Sequence, residues 1–496
     1  MTGDLLAPPT RAQAIHGALW SASGAVGRYA LAGITTLILT HLLEPGDFGL
    51  VTITYAVQGL IVFIIPTGFL DALIQRPRLA DADLNAAFWS VLILSGGALL
   101  LVMILAPSAA DWFDQPILAA LLAGMGLASV LRALDTVPRA LLNRRLDFRT
   151  LALARLLGMV IASLSAIALA AVGGGAWALI AQAAALNFTA LLVLWRVVRW
   201  QPGWPRTVTR PALRTMWVFA LNVSIFAAVG YVILNADDQL IGYRLGSQAL
   251  GFYALAYSFM AWPARDVLGS VSAVLYPIFA RLQDDRSRFR TAYLEGLQLS
   301  AAFAFPTLAL IAITAPTLIP WLLGPRWTPI VLTTQILVVG GLRSSTMMLN
   351  GLIYRALGRP AIHTLFQLCS VGPYVVAIWI GLDFGIEGVA LFYVLIGFLL
   401  HPVSLWLVLG TAEIPYSVRF RALLAPAVAT GLMSVAAIPV LHAARYDWDL
   451  SPFPALALTG VAASLVYSGV LLIWSPAGLR RALTTTWAVM HASRST

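Results

Sequence analysis

Arg28 and Arg265 each fall near the middle of a long apolar stretch. A charged side chain at that depth costs at least about 2.5–3.5 kcal/mol to insert, so it faces a polar interior. If the two share a cavity, they make an anion site midway across a membrane, because the planar donor fork of arginine suits phosphate. Asp266 follows Arg265 directly; adjacent residues of a helix point in different directions and do not neutralise one another. Arg132, Arg155, Asp71, Glu295 and Arg343 lie inside apolar stretches or within a turn or two of an end. Arg132 and Asp135 are spaced i, i+3 for a local pair, while Asp71, Arg155 and Glu295 are placed to snorkel to the interface. Asp237 and Asp238 close the seventh stretch and read as a solvated cap rather than a metal-binding pair of a membrane glycosyltransferase.

Other chemistries find no constellation. The six histidines (His16, His41, His363, His401, His442 and His491) lack ligand spacing, and Cys369 is the only cysteine. A disulfide within the chain and a Cys-based metal cluster are therefore excluded. There is no P-loop, which argues against ATP-driven pumping by this chain. No cofactor is expected beyond a coupling Na+ or H+.

These charges must be held by membrane-spanning helices. The chain is 496 residues long, 60% hydrophobic and 10% charged, against about 25% charged in soluble domains. At about 20 residues per crossing, we read about fourteen spans, among them 49–70, 116–140 and, as the seventh, 214–236, making an all-α integral membrane protein. The net charge of +10 does not form a nucleic-acid patch, since the arginines sit in short loops on alternate sides. One side carries Arg76, Arg144, Arg145, Arg149, Arg281, Arg355, Arg359, Arg419 and Arg480, while the other carries Glu44, Asp47, Asp111, Asp114, Asp383 and Glu387. The positive-inside rule then puts both termini in the cytoplasm.

An internal echo divides the chain. Leu43-Glu44-Pro45-Gly46-Asp47-Phe48-Gly49-Leu50 is matched by Leu245-Gly246-Ser247-Gln248-Ala249-Leu250-Gly251-Phe252, and Tyr55 and Tyr257 keep the same offset. The expected organisation is a six-helix bundle over 1–200, a cytoplasmic linker over 201–213 and a second six-helix bundle over 214–410. Two additional helices and a cytoplasmic tail fill 411–496. Repeated halves around a central path are a recurrent transporter plan.

Several segments carry a family resemblance. They include Gly68-Phe69-Leu70-Asp71-Ala72-Leu73-Ile74-Gln75-Arg76, Leu84-Asn85-Ala86-Ala87-Phe88-Trp89, Arg145-Leu146-Asp147-Phe148-Arg149 and Gly175-Ala176-Trp177-Ala178-Leu179. Asn235-Ala236-Asp237-Asp238-Gln239-Leu240-Ile241-Gly242, Leu323-Gly324-Pro325-Arg326-Trp327 and Ala356-Leu357-Gly358-Arg359-Pro360 continue it in order. In these the chain resembles bacterial polysaccharide flippases of the Wzx/RfbX type, most nearly the WzxC-like colanic-acid and exopolysaccharide translocases. They belong to the multidrug/oligosaccharidyl-lipid/polysaccharide exporter superfamily. Asp71 departs from the pattern, which implies a small residue there.

The resemblance implies two bundles around a central cavity and a bacterial inner-membrane location. It also implies flipping of an undecaprenyl-diphosphate-linked oligosaccharide by alternating access, without enzymatic chemistry. Arg28 and Arg265 would then attract the diphosphate, and Asn222 and Gln58 would contact sugar. Arg132, Arg155, Asp71, Asp237, Asp238, Asp266 and Arg343 remain cavity candidates. Membrane lipids, and a polysaccharide polymerase or chain-length regulator, are the expected partners. An ion-coupled multidrug antiporter of the same superfamily is an alternative, although cationic drugs prefer acidic linings. A membrane polymerase or glycosyltransferase is another, and the short outward loops argue against it.

Overall fold

A computed structural model describes residues 11–59, 64–76, 79–145, 147–204, 208–267, 275, 278–279 and 282–474. It is an all-α, multi-pass membrane protein. The first helices are α1 (Arg11–Leu42), α2 (Pro45–Gln58), α3 (Ile64–Gln75), α4 (Asp81–Trp112), α5 (Ile117–Leu134), α6 (Thr136–Arg144), α7 (Phe148–Ala171) and α8 (Trp177–Val198). The long α9 (Arg210–Ala261) runs into a π-helical turn, Trp262–Val267. The remainder are α10 (Arg286–Leu323), α11 (Ile330–Ala356), α12 (Pro360–Gly381), α13 (Gly385–Ala412), α14 (Tyr416–His442) and α15 (Pro452–Trp474).

Among the described residues nine helical segments are long and apolar enough to cross a bilayer, one of them, Ala361–Ala412, containing both α12 and α13. In lipid every backbone donor must be satisfied within its own segment, which leaves the helix as the solution for such stretches. Carboxylates start several helices by accepting the first unpaired backbone N–H groups. Asp47 accepts from the Glu44 amide at 3.0 Å, Asp83 from Ala80, Asp147 from Thr150 and Asp285 from Arg288.

The span expected over 49–70 is helical in α2 and α3, with residues 60–63 outside the described residues. Two other expected spans have different ends. The span over 116–140 is interrupted at Asp135, between α5 and α6. The seventh does not stop at residue 236: α9 stays helical until a kink at Gly246, whose φ of 85° lies in the left-handed region that glycine alone enters without steric cost.

The chain packs as two compact units, 1–251 and 252–496. In the first, α1 lies along α7, with Thr35 donating to Ser163 at 2.7 Å, and α4, α5, α7 and α8 pack on one another. The 201–213 connection is fastened to this unit. Gly203 accepts from the Trp89 indole at 2.9 Å and donates to Asn85 at 2.8 Å, while Trp200 joins the core around Phe88. The same core includes Met216 of α9, and Trp217 donates to Ser90 at 3.0 Å.

Also within this unit, the two copies of the sequence echo pack against each other. The nearest backbone to Gly49 is at Ser247, and the nearest to Gly251 is at Pro45.

In the second unit, α10, α11 and α13 enclose Phe279, Phe289, Tyr293, Leu349, Ile353 and Val408. The C-terminal pair α14–α15 belongs to this unit. Both helices pack on α10, and Tyr467 donates to the Ala302 carbonyl at 2.8 Å.

Candidate functional site

The first unit gathers arginines from four helices. Asp135 and Arg139, one turn apart at the α5–α6 break, form a buried ion pair whose side chains are each 9% exposed. Arg132 ends α5, Arg155 lies on α7 and Arg28 on α1. The charges of Arg132, Arg139 and Arg155 act on one another and on Asp135, and that of Arg28 acts on Arg155. Among the described residues, three guanidiniums thus share the field of one carboxylate, and Arg28 adds its charge beside Arg155. With three guanidiniums against one carboxylate, such a cluster favours a multiply charged anion.

A polar track leads away from it along α2, α5 and α9. Gln58, 1% exposed, donates to the Leu122 carbonyl and accepts from Ser129 at 3.4 Å. Tyr231 of α9 donates to the Tyr55 carbonyl at 2.6 Å. The charge of Asp238 acts on Tyr231, and that of Arg132 on Tyr55. Asp237 beside it is buried at 7% exposure. The expected solvated cap at Asp237-Asp238 is corrected: α9 continues past both residues, so Asp237 is enclosed by neighbouring side chains.

The structure therefore brings Arg28, Arg132 and Arg155 together and places Gln58 nearby. Asp71 is exposed near the end of α3. Arg343 sits in the second unit, half-buried on α11. Arg265 and Asp266 lie in the π-helical turn and Asn222 in α9, and the side chains of all three lie outside the described residues. Asp135 pairs with Arg139 and also feels the charge of Arg132, its i, i+3 neighbour.

Sequence reasoning missed three arginines. Arg139 was detectable by its i, i+4 spacing from Asp135. Arg144 and Arg419 were counted as topology signals, yet each reaches into the protein. Arg144 donates to the carbonyls of Leu73 and Ile74 at 3.1 Å and to that of Arg76, closing the C-terminus of α3. Arg419, 3% exposed, donates to the Tyr293 hydroxyl and to the Thr346 carbonyl at 3.3 Å, tying α14 to α10 and α11.

Among the described residues no three His, Cys, Asp or Glu side chains gather as a metal site.

The chain is similar to known proteins over most of its length. A family model described as "Polysaccharide biosynthesis protein" matches residues 38–332. The chain is 25% identical over 396 residues to the lipopolysaccharide biosynthesis protein WzxC of Escherichia coli K12, covering 78% of this chain and 79% of WzxC. It is 23% identical to the teichuronic acid biosynthesis protein TuaB of Bacillus subtilis 168, over 82% of this chain and 85% of TuaB. Among solved structures, the lipid II flippase MurJ in an inward closed conformation superposes with a TM-score of 0.70, covering 92% of this chain and 98% of that one. The identity to MurJ is 14%, so that likeness is one of fold.

Proposed function

The chain belongs to the family of polysaccharide biosynthesis proteins, and from that membership we propose that it flips an undecaprenyl-diphosphate-linked oligosaccharide across the bacterial inner membrane. The observation that carries this reading is the arginine cluster of the first unit. Arg132, Arg139 and Arg155 act on the single carboxylate of Asp135, and Arg28 acts on Arg155, a surplus of positive charge suited to a diphosphate. Beyond the buried Gln58, the hydroxyls of Tyr55 and Tyr231 offer the neutral hydrogen-bonding groups that a sugar needs. The lipid tail stays in the bilayer. Both termini are cytoplasmic in this reading, and Arg265 supplies the second half's cation.

The chain moves its substrate without making or breaking a covalent bond. Alternating access is driven by a Na+ or H+ gradient, or by a polymerase with its chain-length regulator consuming the product outside. The fold likeness to MurJ and the similarity to WzxC and TuaB support the substrate class.

The test is a deletion strain scored for lipid-linked repeat units held on the cytoplasmic face. Wild-type protein clears them, while Arg28→Ala and Arg265→Ala, at normal protein level, leave them accumulated. Full clearance by both variants removes the diphosphate site. Drug resistance conferred by the wild type and lost in Asp237→Asn favours the antiporter instead.

A further inference from the structure

The second unit holds a mid-membrane arginine of its own. Arg343 is the fourteenth residue of the 27-residue α11, so its guanidinium starts from the middle of a span. It faces α13 at Gly397, where an added Cβ would fall 2.6 Å from Nη2 and 2.9 Å from Nε. Glycine there gives the guanidinium its room. Tyr393, Gly397 and His401 follow at i+4 intervals and form one stripe of α13, which places the His401 ring a turn beyond the guanidinium. Tyr374 of α12 accepts from Arg343 Nη2 in a long contact of 3.4 Å. Its ring packs on Tyr393 at 5.5 Å between centroids, and Tyr393 packs on Tyr257 at 6.2 Å.

Two hydrogen-bonding positions in this cluster are unanswered. Arg343 Nε and His401 Nδ1 are both buried without a hydrogen-bond partner. A buried polar nitrogen that lacks a partner is a standing cost to the fold, and here two such atoms lie on facing helices. Among the described residues Arg343 makes no ion pair. A fixed positive charge with an open Nε–H, a ring nitrogen able to donate and a phenol hydroxyl form a half-built site, and the missing half is an acceptor carrying negative charge.

We propose that Arg343, His401 and Tyr374 bind an oxyanion at mid-depth in the second unit, separately from the arginine cluster of the first. The oxyanion is carried by the translocated substrate, either as a phosphate of the lipid diphosphate or as a carboxylate on an acidic sugar. This identification of the carrier rests on the flippase reading; the binding chemistry does not. The site then holds a charged point of the substrate, which favours anionic over neutral glycans. The aromatic wall of Tyr374, Tyr393 and Tyr257 supplies flat faces of the kind on which sugar rings stack.

The experiment uses purified full-length protein in lipid nanodiscs and isothermal titration with three small probes: glucuronate, inorganic pyrophosphate and glucose. All titrations are run in an Arg28→Ala, Arg155→Gln background, which weakens the first unit's contribution. Glucuronate or pyrophosphate binds, and glucose does not. Arg343→Gln weakens the bound probe about tenfold or more, the loss expected for a charge-assisted pair, and Gly397→Ala does the same by displacing the guanidinium while keeping its charge. The second variant covers the case in which Arg343→Gln does not fold. His401→Gln, which keeps one donor, weakens binding less.

An effect confined to pyrophosphate assigns the site to phosphate, and one confined to glucuronate assigns it to a sugar carboxylate. Equal affinity for each probe with and without the Arg343 and Gly397 substitutions overturns the proposal, as does binding of neither anion. Because the probes carry no lipid, a positive result stands even if no lipid-linked oligosaccharide is flipped.

Discussion

The α2–α9 crossing provides a sharp test of the packing in the first unit. A methyl group at Gly49 would overlap the Ser247 carbonyl oxygen, and one at Gly251 would overlap that of Pro45. Ordinary Cβ contact begins at 3.4 Å, so either alanine forces the helices apart by roughly 1–2 Å in a close-packed interface. Overpacking of this kind costs about 1–3 kcal/mol. Alanine's better helix propensity offsets about 0.5–1 kcal/mol of that. The net expectation for Gly49→Ala is a loss of about 0.5–2 kcal/mol. Gly46 is the internal control, since its Cβ would meet only the Ser247 hydroxyl, at 3.8 Å, and Gly46→Ala should be near neutral. The double variant Gly49→Ala, Gly251→Ala should lose less than the sum, because the first methyl already opens the crossing for the second. Reversible unfolding in a denaturing-detergent titration reads all four proteins. A Gly49→Ala protein as stable as Gly46→Ala, or fully additive losses, would refute the crossing.

Two further outcomes follow from buried polar contacts. Asp135→Asn leaves Arg139 buried without its counter-ion and should cost about 3–5 kcal/mol; adding Arg139→Met should recover much of it, as read in the same titration. Tyr293→Phe removes an acceptor from buried Arg419 and should cost about 1–3 kcal/mol, whereas Tyr293→Phe in an Arg419→Met background should cost little. Equal costs in both backgrounds would show that the Arg419–Tyr293 contact does not hold α14 in place.

Hydropathy made the helices legible, because a span must be apolar over most of its length. The short echo around Gly49 and Gly251 was also readable, and the structure shows why it persists: each copy is the other's packing surface. The arginines were only half legible. Counting Arg144 and Arg419 by loop gives orientation, yet a guanidinium reaches far from its Cα, and both turn inward to close a helix end or tie helices together. The i, i+3 spacing offers Arg132 to Asp135, and the helix break adds Arg139 as its ion-pair partner. Asp237 looked solvated because the seventh span was ended where charges begin, whereas α9 carries those charges on to Gly246. The cluster around Arg28 joins residues more than a hundred positions apart, and no local pattern encodes that proximity.

The central claim is movement of a diphosphate-linked glycan between leaflets. It is tested most directly with purified full-length protein in liposomes holding a fluorescent undecaprenyl-diphosphate oligosaccharide and an impermeant quencher outside. Wild-type protein should expose the inner-leaflet pool to the quencher, and Arg28→Ala should leave that pool protected at equal protein density. An inner-leaflet pool that stays protected with wild-type protein, as it does in protein-free liposomes, would contradict the claim.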